Sequence, residues 1–142
     1  LYSIALGMCP SSIPLDNLDN MPLSDRAFFI QSDVIRDIAK QGSCVIVGRC
    51  ADYILKDRPD CLHVFIHADN AHRAARIRER YGETKQPMEK RLQEKDSKRK
   101  VYYKHYTNRN WGEADNYDVC LDSGTLGVDK CVDIVCDIAE MA

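Results

Sequence analysis

Apolar residues recur at three- and four-residue intervals through Ala27, Ile30, Val34, Ile35 and Ile38. That spacing predicts a helix with one buried face, capped by Ser24 and stopped by Gly42. Three short β-branched runs follow, Cys44-Val45-Ile46-Val47, Leu62-His63-Val64-Phe65-Ile66 and Tyr117-Asp118-Val119-Cys120-Leu121. The first two are apolar almost continuously, the pattern of strands covered on both faces and hence of a parallel sheet. Between the strands the sequence predicts a short helix over Ala51–Lys56, one from Asp69 to Gly82, and one from Pro87 towards His105. A last helix is predicted over 128–141, with Val128, Val132, Val135, Ile138 and Ala139 inward. Leu1–Met8 reads as the end of a helix, and residues 9–23, with Pro10, Pro14 and Pro22, read as loop.

This alternation gives an α/β fold, a parallel sheet with helices on both faces and right-handed crossovers, whose ligands bind beyond the carboxyl ends of the strands. Gly48-Arg49, His67-Ala68-Asp69 and Asp122-Ser123-Gly124 fall at those ends and are expected to face one crevice. A length of 142 residues suits a single domain, 1–142, with neither repeat nor linker. No apolar run is long enough for a membrane helix. The seven cysteines are odd in number and form no C-x-x-C pair, which favours a reducing, cytoplasmic setting. Cys44, Cys61, Cys120, Cys131 and Cys136 lie among Val, Ile and Leu and read as small hydrophobes.

Charge changes the picture most. The net charge of −2 hides thirteen Lys or Arg against five acids between Arg73 and Arg109, a local +8 that leaves −10 elsewhere. Such a patch calls for an anion. Arg49, behind a glycine at a strand end, suits a bidentate phosphate, with pairing to a nearby carboxylate an equal alternative. Arg73, Arg76 and Arg80 share one stripe of their helix, and Arg99 with Lys95 marks the next. The bland reading is a solvated surface. The sharper one is a pair of lid helices, 73–109, hinged at Gly82-Glu83-Thr84-Lys85 over a polyphosphate. Tyr102, Tyr103, Tyr106 and Trp111 among Lys98, Arg99, Lys100, Lys104 and Arg109 admit base stacking, but a pI near 6.1 disfavours a nucleic-acid binder. His63, His67 and Cys61 match no usual zinc spacing, so no metal ligand is expected.

Taken together, Cys44 to Leu55 with its Gly48-Arg49 pair, Val64 to Ala68, Arg73, Arg76, Arg80-Tyr81-Gly82, the Asp96-x-x-Arg99-x-x-Tyr102-Tyr103 segment and Tyr117 to Ser123 resemble the cytidylate kinase-like family of P-loop proteins. The resemblance implies a nucleoside monophosphate kinase-like sheet and transfer of the ATP γ-phosphoryl group to a nucleoside monophosphate, with ATP and Mg as cofactors and small-molecule nucleotides as partners. It implies an acceptor-side loop and helix over 9–43. It assigns Arg49, Gln31 and Arg73 to substrate, Arg76, Arg80 and Arg99 to catalysis under the lid, and Asp122, Ser123 and Thr125 to the ATP adenine. The loop G-x-x-x-x-G-K-S/T occurs nowhere in the 142 residues. The expectation is therefore an amino-terminally incomplete domain, its first, central strand and P-loop absent, with the missing segment a partner and these residues alone inactive. A non-catalytic nucleotide-binding or regulatory module is the alternative, a nucleic-acid surface is third, and oligomerisation is open.

Overall fold

The structure, a computed structural model, describes residues 21–82 and 86–141. The expected amino-terminal helix, most of the proline loop and hinge residues 83–85 lie outside them. The chain divides into two units, Leu1–Arg58 and Pro59–Ala142.

In the first unit, α1 (Leu23–Gln41) starts directly after Pro22, whose fixed φ of −53° sets the chain up for a helix without a side-chain cap. Ser24 lies inside the helix and points its hydroxyl at Asp25 (3.3 Å), which corrects the expected cap. The buried residues are Phe28, Ser32, Asp33 and Ile35, whereas Ala27 and Ile30 are exposed. Phe28 is larger than either, and Ser32 joins the buried residues because its Oγ donates back to the Phe28 carbonyl (2.8 Å). The short α2 (Ala51–Ile54) packs against α1 and buries Ala51, with Leu55 buried just beyond it. Between the two helices, Cys44–Val47 runs without a ladder partner among the described residues, and Val45 and Val47 are 86% and 82% exposed. This corrects the first predicted strand. An apolar β-branched run favours extension, but a strand also needs a neighbour for its amides and carbonyls.

In the second unit, β1 (Val64–His67) and β2 (Val119–Asp122) pair in parallel, Val64 opposite Val119 and His67 opposite Asp122. Asp118 fixes that register: its Oδ2 accepts from the His63 amide (2.7 Å), while its own amide donates to the His63 carbonyl (2.9 Å). Asp69 caps α3 (Asn70–Tyr81) by accepting from the His72 amide, and Gly82 ends it with a φ of 74°. The next helix, α4 (Met88–Thr107), begins after Pro87 and ends at Asn108 in the left-handed region. These two helices form an antiparallel hairpin, with Arg73 of α3 opposite Asp96 at one end and Arg78 opposite Glu89 at the other. Its seam holds Ala74, Ile77, Met88 and Leu92. The single turn α5 (Ser123–Leu126) touches both strands and α6 (Val128–Met141). In α6 the buried residue is Cys131, with Ile134 and the expected Val135 and Ile138 half-buried, while Val128, Val132 and Ala139 are exposed, so the inner face matches the expected one in part. The described sheet is therefore small and parallel, in a mixed α/β chain.

Phe65 anchors the loop after α4. Its ring stacks on Tyr117 (4.9 Å between centroids) and meets Trp111 edge-on (5.4 Å). Gly112, at φ 79°, lies so close that an added Cβ would come 3.0 Å from Phe65 Cζ. Only glycine meets both conditions. Gly112→Ala is expected to lower the unfolding free energy by about 1–2 kcal/mol. Leu92→Ala, in the hairpin seam, is expected to cost about 2–4 kcal/mol. Chemical denaturation checks both, with Val101→Ala on the exposed side of α4 as the near-neutral control.

Candidate functional site: an arginine-bearing helical hairpin and the ends of two parallel strands

The hairpin's charges are organised around one carboxylate. Asp96 Oδ2 accepts from Arg73 Nη1 (2.6 Å), and Oδ1 accepts from both Arg73 Nη2 (2.9 Å) and Arg99 Nη1 (2.8 Å). Arg73 thus makes a bidentate pair across the helices, with its side chain 26% exposed, whereas Arg99 makes one bond from its own helix and is 53% exposed. The Arg73 fork, helped by Arg99, holds the Asp96 carboxyl below the usual carboxylate range. Arg99 also lies over the Trp111 ring, 5.9 Å from its centroid. Arg76 and Arg80 are exposed and make no ion pair among the described residues.

At the carboxyl ends of the strands, acids build turns. Asp122 caps α5, accepting from the Gly124 amide (2.9 Å), the Thr125 amide (3.4 Å) and the Thr125 hydroxyl (2.9 Å). Those donors, the Thr125 hydroxyl foremost, depress its pKa. Ser123 Oγ donates to the His67 carbonyl (3.0 Å), tying the turn to β1. Asp69 takes the His72 amide (2.9 Å) and faces its Nδ1 (2.6 Å), which lowers the Asp69 pKa in the same way. The His72 ring lies against Gly124, where an added Cβ would stand 3.2 Å from it. The first turn of α3 therefore abuts the Asp122–Thr125 turn. Among the described residues no three His, Cys, Asp or Glu gather as a metal site.

The first unit carries Arg49 and Gln31. Gly48, Arg49 and Cys50 have successive φ values of 74°, 57° and 58°, a left-handed turn closed by the Ala51 amide donating to the Gly48 carbonyl (3.1 Å). Two non-glycine residues there cost about 1–2 kcal/mol each. The turn leaves Arg49 exposed and Cys50 buried. Desolvation, with Asp52 adding to it, pushes the Cys50 thiol up to about 12. Gln31 Oε1 is buried with no hydrogen-bond partner among the described residues.

The model of the cytidylate kinase-like family matches residues 1–125. The chain belongs to this family. A crystal structure of an uncharacterized protein from Eubacterium ventriosum ATCC 27560 is similar to it at 29% identity and a TM-score of 0.79, covering 99% of this chain and 80% of that one. No curated protein matches. Membership makes a nucleotide kinase-like function the family's own indication for the chain, with nucleotides as its substrates.

Within this kinase-like chain the structure joins two of the three expected strand ends, through the pairing of His67 with Asp122 and the Ser123 bond. Gly48-Arg49 lies in the other unit. Arg73 and Arg99 come together on Asp96, and Arg76 and Arg80 do not join them there. The basic aromatic stretch does not offer free faces: Tyr103 is 3% exposed, Tyr102 and Tyr106 pack on each other (4.7 Å), and Trp111 is engaged by Phe65. Cys131 is buried as a small hydrophobe, but Cys44, Cys120 and Cys136 are exposed, contrary to their apolar sequence neighbours. His72 was invisible to periodicity, and the only signal for it is the Asp69-x-x-His72 capping interval.

Because the folded pKa of Asp96 is depressed, its contribution to stability is full above the unfolded value of about 4 and disappears as pH falls through the lower folded value. Wild-type unfolding midpoints are therefore expected to drop more steeply below about pH 4 than those of Asp96→Asn, followed by circular dichroism. Thiol alkylation at pH 8, read by mass spectrometry, is expected to modify Cys44, Cys120 and Cys136 and to spare Cys50, whose thiolate is scarce.

Proposed function

We propose that the chain is a nucleotide kinase-like phosphotransferase that moves the γ-phosphoryl group of ATP to a CMP-like nucleoside monophosphate. Arg49 takes the acceptor phosphate and Gln31 faces the acceptor nucleotide. Arg76, Arg80 and Arg99 meet the charge that spreads over the transferring group, and the Asp122–Thr125 turn lies beside adenine. Arg73, its fork committed to Asp96, serves the substrate by holding the hairpin together. The observation that carries this reading is the hairpin itself, with two arginines unpaired among the described residues and a third held by a single hydrogen bond.

Phosphoryl transfer needs little covalent help from a protein, since its transition state is loose and highly charged. Fixed guanidinium groups stabilise that charge without reorganising, and loss of one such donor typically costs 10²–10³-fold in rate. The strand-end carboxylates Asp69 and Asp122 are engaged as helix caps, and among the described residues no three His, Cys, Asp or Glu gather. The 142 residues also contain no G-x-x-x-x-G-K-S/T loop, the specific fact that favours the second reading, a nucleotide-binding module without turnover.

A monophosphate panel (CMP, UMP, dCMP, AMP, GMP) with ATP, assayed on the full natural chain for ADP and diphosphate, separates the two. The expected result is turnover with a pyrimidine monophosphate, lost in Arg49→Ala and lowered on the order of 10²-fold in Arg76→Ala and Arg80→Ala. Saturable nucleotide binding with no product from any monophosphate would establish the module instead. Binding to RNA or DNA that collapses with salt and ignores free nucleotides would overturn both.

A further inference from the structure

Arg73 and Arg99 share Asp96 unequally. Arg73 spans both carboxylate oxygens and is mostly shielded, whereas Arg99 has one bond to an oxygen that Arg73 already occupies. Removing Arg99 from Asp96 therefore leaves the carboxylate fully paired and the hairpin bolted. Its second contact, the face of Trp111, lies near the outer limit of cation–π range. Trp111 also meets Phe65 edge-on (5.4 Å between centroids), a contact that does not depend on the guanidinium and holds the ring in place when that group leaves. An exposed arginine with one hydrogen bond and one ring contact is parked, and a phosphate offering it two charge-assisted bonds binds it better.

We propose that Asp96 and Trp111 are positioning residues that park the Arg99 guanidinium, and that a polyphosphate draws Arg99 off both while Arg73 remains on Asp96. The inference deepens the kinase-like reading, because it rests on the hairpin being a polyphosphate site. It also assigns Trp111, the chain's single tryptophan, a role that a residue serving only to pack the loop would not have: its indole senses the anion.

The test titrates the full natural chain with inorganic tripolyphosphate, which does not absorb where tryptophan is excited, and reads Trp111 emission alongside calorimetry. The expected result is a saturable emission change that tracks the calorimetric isotherm. In Arg99→Ala the emission change is lost and affinity falls about tenfold, the equivalent of one charge-assisted hydrogen bond. In Arg99→Lys, which retains the cation without the fork, affinity is partly restored. Arg76→Ala weakens binding but keeps the emission amplitude. Calorimetric binding with silent emission, or the same emission change in Arg99→Ala as in wild type, overturns the parking of Arg99 and leaves the polyphosphate site standing. Absence of any calorimetric binding overturns the polyphosphate site and this inference with it.

Discussion

Two arginines on neighbouring helices repel each other unless an anion lies between them, and in this chain Asp96 is that anion. Its carboxylate takes the whole fork of Arg73 and one bond from Arg99. The apolar seam it closes is short, Ala74, Ile77, Met88 and Leu92 among the described residues, so the polar end of the hairpin matters more than it would in a longer bundle. The Arg78–Glu89 pair at the opposite end, at 3.9 Å and well exposed, adds little. Removing Asp96 would leave the partly buried Arg73 without its carboxylate, at a cost far above what the pair contributes in net terms.

The remaining acids explain why cations dominate the chemistry. Asp118 registers β1 against β2, Asp69 starts α3 and Asp122 starts α5. Asp69 and Asp122 stand at the carboxyl ends of β1 and β2, where a parallel α/β sheet usually presents its ligand-binding loops, and all three acids are spent on backbone amides. On the α3–α4 hairpin, the groups left to meet an incoming anion are Arg76, Arg80 and the loosely held Arg99. The left-handed turn at Gly48-Arg49-Cys50 adds a strained, exposed arginine in the first unit. Family membership and this distribution of charge both point to phosphorylated nucleotides.

Much of this could be read in the sequence, and the reasons differ by element. The bounds of α3 and α4 follow from local chemistry, an Asp69 cap, a Gly82 stop and a proline entry, and β1 and β2 follow from β-branched runs that find each other. Cys44–Val47 has the same signature without a described partner, because pairing is a property of two segments and periodicity reports one. The inner faces of α1 and α6 differ from expectation where a polar or small residue, Ser32 or Cys131, takes an inward position beside the expected Ile35 and Ile138. At the site, spacing put Arg73, Arg76 and Arg80 on one stripe but could not say that Asp96 would claim the first of them. Nor could it place Trp111 beneath Arg99, since a loop residue carries no helical period.

The most direct measurement is a crystal structure of the full natural chain with tripolyphosphate bound. The result expected is Arg73 still forked on Asp96, with Arg76, Arg80 and Arg99 on phosphoryl oxygens and Arg99 no longer bonded to Asp96. An anion bound away from α3 and α4, or one that leaves Arg99 on Asp96 and takes Arg73 instead, would contradict the account.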